Sequence, residues 1–421
     1  MTAPALSSNF TTANPHALAT ILQASQTRSI IASRDIFDIS GTKLWARDQP
    51  VSSALQRKLL DRQLRSPLES CLMAEDGVTP QSLVLCTEAL LARDTPLGDL
   101  VRPHAAKIAQ EVAFLPIHSV AQLLLTAGQA SRPDSFDHAV QAMALAGALM
   151  IRHGGSTADL RVAMLAGLLH DLGEMYIDPR YGEADADRSL DFQSYQQLVV
   201  HPHVGKLLLT QLTNYPAALS RAVGEHHERL DGSGYPHALQ RDDVSPLGRL
   251  LSVTEATLGV LRSEHPELSR VSIALRVVPG EFDLTWVGPI AAAVHGQPAL
   301  QGRLDASEVQ VRLARLDAAL LAAQHRATAL LVSAASPALK ETLNLAQHLL
   351  GRLRAGWYAT GLWSSEAVMA ESAAEIEAIE DELFFRLNAI ERAALLCAGE
   401  LPPADADRLD LLCDSLRAVR Q

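Results

Sequence analysis

Aromatic residues are scarce in this chain: Phe, Trp and Tyr make up 4% of 421 residues, although 48% of the chain is hydrophobic. The apolar content is therefore mostly Ala, Leu and Val, a bias toward packed helices rather than sheets. Cysteine is scarce as well. Cys71, Cys86, Cys397 and Cys413 are scattered, with no CxxC pair; this excludes a zinc ribbon and a disulfide framework and leaves reduced, packed thiols. Positive charge is also short, since 36 Lys and Arg against 48 Asp and Glu give a net −12. A sequence-blind binder of duplex nucleic acid needs the opposite sign. No apolar run reaches the roughly 18 residues of a membrane helix. The opening MTAPALSSNFTTANPHALAT lacks the basic-then-apolar pattern of a secretory leader. A soluble, cytoplasmic protein is expected.

The length corresponds to two or three domains. Residues 1–27 are rich in Ser, Thr, Ala and Asn and read as a tail or a fraying helix. Residues 28–115 read as a small mixed α/β domain, with β-prone pieces at Ser29–Ala32 and Lys43–Trp45 around an Asp38–Gly41 turn. Helical spacing follows at Val51, Leu55, Leu59 and Leu60, and later helices break at Pro96 and Pro103. Residues 301–421 carry apolar stripes, such as Val309, Leu313, Leu316, Leu320 and Leu321, then Ile376, Ile379, Leu383, Leu387 and Ile390. Those stripes are core or the seam of a homodimer, and the pattern leaves both open. The acidic stretch Glu371–Glu382 reads as a solvated helix face.

The chemistry concentrates in residues 116–300. Eight of the fifteen histidines lie between His138 and His237, and neutral imidazole is the commonest metal ligand. Asp134 and His138 are four apart at the start of a helical run, on one face. Ser156 and Asp159 open an apolar helix that ends at His170-Asp171. His201 follows in LVVHPHVGKLLL, then His226 and His227 in AVGEHHERLDGSGYP, and Glu255 interrupts an otherwise apolar helix. An unpaired buried carboxylate costs several kcal/mol, and coordination to a cation removes that cost. Adjacent helical residues point about 100° apart, so the two adjacent pairs suit two metals better than one. Imidazole with carboxylate favours Fe or Mn, leaves Zn admissible and disfavours Mg and Ca.

These residues are similar to those of the HD-GYP family, a branch of the HD phosphohydrolases. HHERLDGSGYP at 226–236 matches the family signature, LLHDLGE supplies the His-Asp pair, and HPHVG the element between them. The resemblance implies a mainly α protein, its HD-type helical bundle flanked by the small mixed N-terminal domain and the helical C-terminal region. It also implies a bi- or trinuclear transition-metal centre held by His138, His170, Asp171, His201, His226 and His227. Asp134 matches an extra carboxylate of trinuclear members, and Glu255 a later metal-binding aspartate. The implied activity is hydrolysis of cyclic di-GMP to the linear dinucleotide or GMP, with Asp171 orienting the nucleophile. The loop Asp231, Gly232, Gly234, Tyr235 and Pro236 borders the site, and its Gly-Tyr-Pro is implied as a contact for diguanylate cyclase (GGDEF) partners.

The chain also departs from the pattern. Glu174 stands where the family has a lysine, and its carboxylate is expected within reach of the metals, as an extra ligand or a catalytic acid. Glu255 replaces an aspartate. The family's phosphate-contacting arginine aligns with Glu264, and Arg262 is two residues out of place. Asp178, Glu183, Asp185 and Asp187 crowd the loop after the His-Asp pair. Two functions follow: a metal-dependent cyclic di-GMP phosphodiesterase, or a degenerate module that binds metal, nucleotide or a protein partner without useful turnover.

Overall fold

The computed structural model describes residues 10–181, 192–263, 266–295, 300, 302, 304–334, 336–360, 373–398 and 401–417. Glu183, Asp185, Asp187 and Glu264 lie outside the described residues.

The amino-terminal region is not a tail where it is described. Helix α1, Pro15–Ala24, starts because the Asn14 side chain accepts from the backbone N–H groups of His16 and Ala17 at 2.9 and 3.0 Å. It buries Ala17, Leu18, Ile21 and Ala24, a stripe hidden by the polar composition around it. Two small antiparallel sheets follow: β1, Ile30–Ala32, pairs with β4, Leu72–Ala74, and β2, Ile36–Phe37, with β3, Lys43–Trp45. The turn at Gly41 has φ +88°, and Asp38 accepts from the Thr42 N–H. Short helices α2 (Ser53–Leu59), α3 (Pro80–Leu91), α4 (Pro96–Val101) and α5 (Ala105–Val112) complete this part. Pro96 opens α4 and Pro103 lies in a 3-10 turn before α5. Leu60, expected on the apolar face of α2, is exposed.

The helices that carry the histidines are α6 (Ser119–Ser131), α7 (Pro133–His153), α8 (Thr157–Leu169), α9 (Phe192–Leu198), α10 (His201–Leu212), α11 (Ala217–Glu225) and α12 (Pro246–Leu261), followed by α13 (Leu268–Ala274) and α14 (Leu284–Ala293). The antiparallel pair α7–α8 packs so closely that a Cβ on Gly167 would meet the Ala142 backbone at 2.6 Å. One buried apolar cluster runs from Ala17 to Ile290. The amino-terminal elements therefore share a core with the histidine-bearing helices rather than holding one of their own.

The last four helices, α15 (Ala306–Ser333), α16 (Pro337–Ala359), α17 (Ala373–Ala398) and α18 (Pro403–Arg417), bury a second cluster that meets the first at Ile273, Val277 and Val278. Both sequence stripes face this core, Leu321 excepted. The acidic face expected over Glu371–Glu382 is solvated only in part: Glu375 is exposed and Asp381 half-buried, while Glu371 lies outside the described residues. Glu377, Glu380 and Glu382 are buried, because α17 packs among α13, α15, α16 and α18. Arg312 meets Glu380 at 2.9 Å, and Arg386 meets Glu382 at 2.6 Å and Glu281 at 2.8 Å.

Candidate metal centre

Three helix ends and two helix interiors bring the site together. His138 lies in the second turn of α7, His170 caps α8 and His201 opens α10. His226 caps α11, His227 follows it, and Glu255 sits in the middle of α12. After Asp171 the chain makes a 3-10 turn, Leu172–Tyr176, pressed against α10. Gly173 permits this contact, since a Cβ there would collide with the His201 carbonyl oxygen.

Two groups of potential ligands result: His138, His170, Asp171 and Glu255, and Asp171, His201, His226 and His227. Asp171 belongs to both. Its Oδ2 lies 3.1 Å from His170 Nε2 and 3.4 Å from His138 Nε2, and its Oδ1 lies 3.3 Å from the Nε2 atoms of His201 and His226. Glu255 Oε2 lies 2.9 Å from His138 Nε2 and 3.2 Å from His170 Nε2.

The protonation pattern fits cations. The Nδ1–H groups of His170, His201 and His226 donate to the carbonyls of Gly167, Leu198 and Val223 at 2.6–2.7 Å. A carbonyl only accepts, so each neutral ring carries its proton on Nδ1 and presents a bare Nε2 lone pair. Two of those Nε2 atoms, of His201 and His226, face each other at 3.0 Å, and the third, of His170, lies 3.1 Å from Nε2 of His138, a ring without a backbone carbonyl on its Nδ1. Lone pairs repel at that range unless a cation accepts them, and a backbone carbonyl on the other ring nitrogen is the usual support of a metal-ligating histidine. Burial and the neighbouring His227 push His226 down to about 3 and keep it neutral. Burial would raise Asp171 and Glu255, yet positive charge on His170 for the first, and on His138 and Arg262 for the second, holds both well below the usual carboxylate range. The two carboxylates in turn hold His170 and His138 above the usual imidazole range against their burial, so this half of the site favours positive charge, whether proton or cation.

Not every expected residue arrives. Asp134 is exposed one turn before His138 and belongs to neither group. Glu174 is buried but is in neither group, and it feels the charge of Arg132, whose guanidinium donates to the Glu174 carbonyl at 3.0 Å. Glu174 sits inside the 3-10 turn on which α1 and α6 pack, and the Arg132 cation gives its carboxylate an opposite charge there. Asp178 is held at about 2 by hydrogen bonds from Arg180, away from the ligand groups.

The loop after His227 is pinned from within. Asp231 Oδ1 accepts from the Ser233 N–H and hydroxyl, and the buried Glu228 carboxylate accepts the N–H groups of His237 and Leu239. Gly232 takes φ +84°, and the Tyr235–Pro236 peptide is cis. The Tyr235 ring stacks on His227 with centroids 4.5 Å apart.

Arg262 has a partner that the sequence reading did not give it: its guanidinium donates to Glu255 Oε1 at 2.6 Å. The signal was present: seven residues are close to two helical turns, so Arg262 lies on the ligand face of α12. A cavity of about 230 Å³ opens beside His227, Glu255 and Arg262. It is lined from α17 as well as from the histidine-bearing helices, and local sequence spacing shows nothing of that long-range contribution.

A family model described as an HD domain matches residues 121–263. A cyclic di-GMP phosphodiesterase of Pseudomonas aeruginosa, PA4108, is 30% identical over 191 residues, 44% of this chain and 45% of that protein. Residues 121–263 are an HD domain of the HD-GYP type. Also similar is 3'3'-cGAMP-specific phosphodiesterase 3 of Vibrio cholerae, 30% identical over 26% of this chain and 23% of that protein. Among solved structures, the HDG"Y"P protein Bd1817 of Bdellovibrio bacteriovorus aligns with a TM-score of 0.36 and 15% identity, over 65% of this chain and 98% of that one. The matches span under half the length of these curated relatives. Among the described residues no helix is long and apolar enough to cross a membrane.

Proposed function

We propose that the chain is a metal-dependent phosphodiesterase that hydrolyses cyclic di-GMP to the linear dinucleotide or GMP, in cytoplasmic second-messenger signalling with diguanylate cyclases as partners. The observation that carries this is the Asp171 carboxylate shared between two groups of converging Nε2 lone pairs. His138, His170, Asp171 and Glu255 would hold one ion and Asp171, His201, His226 and His227 a second, with Fe or Mn best suited to the donors. Ions bound there supply Lewis acidity toward a phosphoryl oxygen and lower the pKa of water. The chain's own residues do the rest. Backbone carbonyls fix the rings, Arg262 fixes Glu255, and the stacked Tyr235 holds His227 in plane. The relatives are named for cyclic di-GMP and for 3'3'-cGAMP, so a cyclic dinucleotide is the supported class.

The test is chromatography of cyclic di-GMP and 3'3'-cGAMP after incubation with protein loaded with Mn²⁺ or Fe²⁺. Linear dinucleotide or mononucleotide from cyclic di-GMP is expected. No product from a protein that carries two bound ions would overturn hydrolysis and favour the binding-module alternative.

A further inference from the structure

The cavity beside the candidate metal centre has mostly apolar walls, among them Val260 on α12, Phe282 before α14, and Leu349 and Leu353 on α16. Two carboxylates that line it, Glu281 and Asp231, each have an oxygen to spare. Glu281 is only 5% exposed. Its Oε2 accepts from Arg386 Nε at 2.8 Å, while Oε1 lies 4.0 Å from Arg229 Nε, beyond hydrogen-bond range. Among the described residues no donor reaches Oε1, and Oε1 is not among the buried atoms sealed from solvent. Asp231 accepts the Ser233 N–H and hydroxyl on Oδ1, and no donor among the described residues reaches its Oδ2. Burial pushes the Glu281 carboxyl up, Arg386 opposes this, and Asp231 is near enough for its charge to add to the rise. A buried oxygen without a donor costs free energy until a ligand supplies one. Two such oxygens also repel a phosphate, so the group suited to this space is flat, uncharged and a donor. In a cyclic dinucleotide that group is guanine, whose N1–H and amino N–H groups lie along one edge. Adenine presents a bare N1 lone pair there, which a carboxylate oxygen opposes. Bases held out of a stack are read in this way, by apolar contact on the ring faces and hydrogen bonds on the Watson–Crick edge.

We propose that this cavity is a guanine pocket and that Glu281 Oε1, with Asp231 Oδ2 near it, accepts the N1–H and amino N–H groups of the base. Resting on the hydrolytic function proposed above, this makes Glu281 a determinant of specificity for guanine over adenine in the substrate. Arg386, on α17, holds Glu281 by its other oxygen, so the carboxy-terminal bundle sets the direction of the acceptor. Gly259, on α12, lines the pocket where it has room, since a Cβ there would meet nothing within 4 Å.

The experiment compares wild type, Glu281→Gln and Gly259→Leu as full-length, metal-loaded proteins. Affinities for cyclic di-GMP and cyclic di-AMP are measured by equilibrium titration. Turnover is measured on both and on bis(p-nitrophenyl) phosphate, which carries no purine, and metal content and melting temperature are recorded for each protein. A hydrogen bond to a charged acceptor is worth about 10- to 100-fold in affinity, and wild type should prefer cyclic di-GMP by that factor. Glutamine turns its oxygen to Arg386 and its amide N–H to the pocket, where it opposes guanine and suits adenine N1. Glu281→Gln should therefore weaken cyclic di-GMP binding by the same factor and narrow or reverse the preference. Gly259→Leu fills the pocket with every carboxylate in place, and should weaken both cyclic dinucleotides relative to bis(p-nitrophenyl) phosphate. Equal affinity of wild type for the two cyclic dinucleotides, with cyclic di-GMP cleaved, would overturn the pocket and leave the hydrolytic function standing. An unchanged preference in Glu281→Gln would do the same. Equal losses in that variant on cyclic di-GMP and on bis(p-nitrophenyl) phosphate would overturn it in favour of a structural role. Should Glu281→Gln fail to fold, Gly259→Leu decides, and undiminished cyclic di-GMP affinity there overturns the pocket. A wild type that cleaves bis(p-nitrophenyl) phosphate but neither binds nor cleaves either cyclic dinucleotide would sink the substrate assignment, and this inference with it.

Discussion

Glu255 is one methylene longer than an aspartate, and a longer arm is harder to hold in one direction. Arg262 takes one of its oxygens and leaves the other facing His138 and His170. Groups that orient metal ligands are typically worth about 10- to 100-fold in affinity, so Arg262→Met should weaken one of two bound ions by that factor and spare the other. Chelator competition resolves the two; equal weakening of both would argue against the assignment. Glu174 behaves differently from the sequence expectation. In Arg132's field and outside both ligand groups, it belongs to the packing between α1, α6 and the turn after Asp171. A lysine there would put a second positive charge beside Arg132 in a buried setting, and an uncompensated buried charge costs several kcal/mol. Glu174→Lys should therefore lower the melting temperature markedly rather than raise turnover. Glu174→Gln should keep turnover at the wild-type level, and a large loss there with metal content intact would return Glu174 to the chemistry.

At the scale of elements, α17 carries a pH dependence. Burial pushes the Glu380 carboxyl from 4.5 up to about 7, with Arg312 offsetting only part of the cost. The folded chain thus holds a proton that the unfolded chain releases near 4.5, so the stabilisation is complete below that pH and is lost as pH rises through 7. The full swing is on the order of 3 kcal/mol. Urea midpoints between pH 5 and 8 should fall with rising pH and flatten partly in Glu380→Gln. The flattening is partial because burial also pushes Glu228 up to about 7. An unaltered slope would mean that Arg312 keeps Glu380 ionised throughout. Elements were legible in the sequence where their signal is local: the capped, apolar α8 ending in His-Asp, the breaks at Pro96 and Pro103, the stripes of α15 and α17. Burial of the α17 acids was not legible, because Arg312 is 68 residues from Glu380. Helix α1 was missed because its apolar face is only four residues wide and its partners lie on α6 and the turn after Asp171.

For the whole molecule, the seam at Ile273, Val277 and Val278 joins two apolar cores. A chain ending near Leu300 would expose that seam and leave Glu281 without Arg386. Such a chain should melt at lower temperature and self-associate by light scattering; an unchanged mass and melting point would make the carboxy-terminal bundle a separate appendage. The ligand cluster itself was legible because its residues recur in short motifs, each at a helix end. The cavity was not, since its walls come from helices more than 100 residues apart, as Arg386 to Glu281 shows.

Because a single carboxylate belongs to both ligand groups, two ions held there would not load independently. With one in place Asp171 would be ordered and part of its charge drawn off, and a second would meet a ligand already placed but less basic. Whichever effect dominates, linkage makes it mutual: the factor by which one ion alters the other's affinity is the same in both directions. Titration with Mn²⁺ should accordingly depart from two independent isotherms, and Asp171→Asn should abolish that departure along with most of the affinity. Two independent isotherms in the wild type would mean that the shared carboxylate transmits nothing.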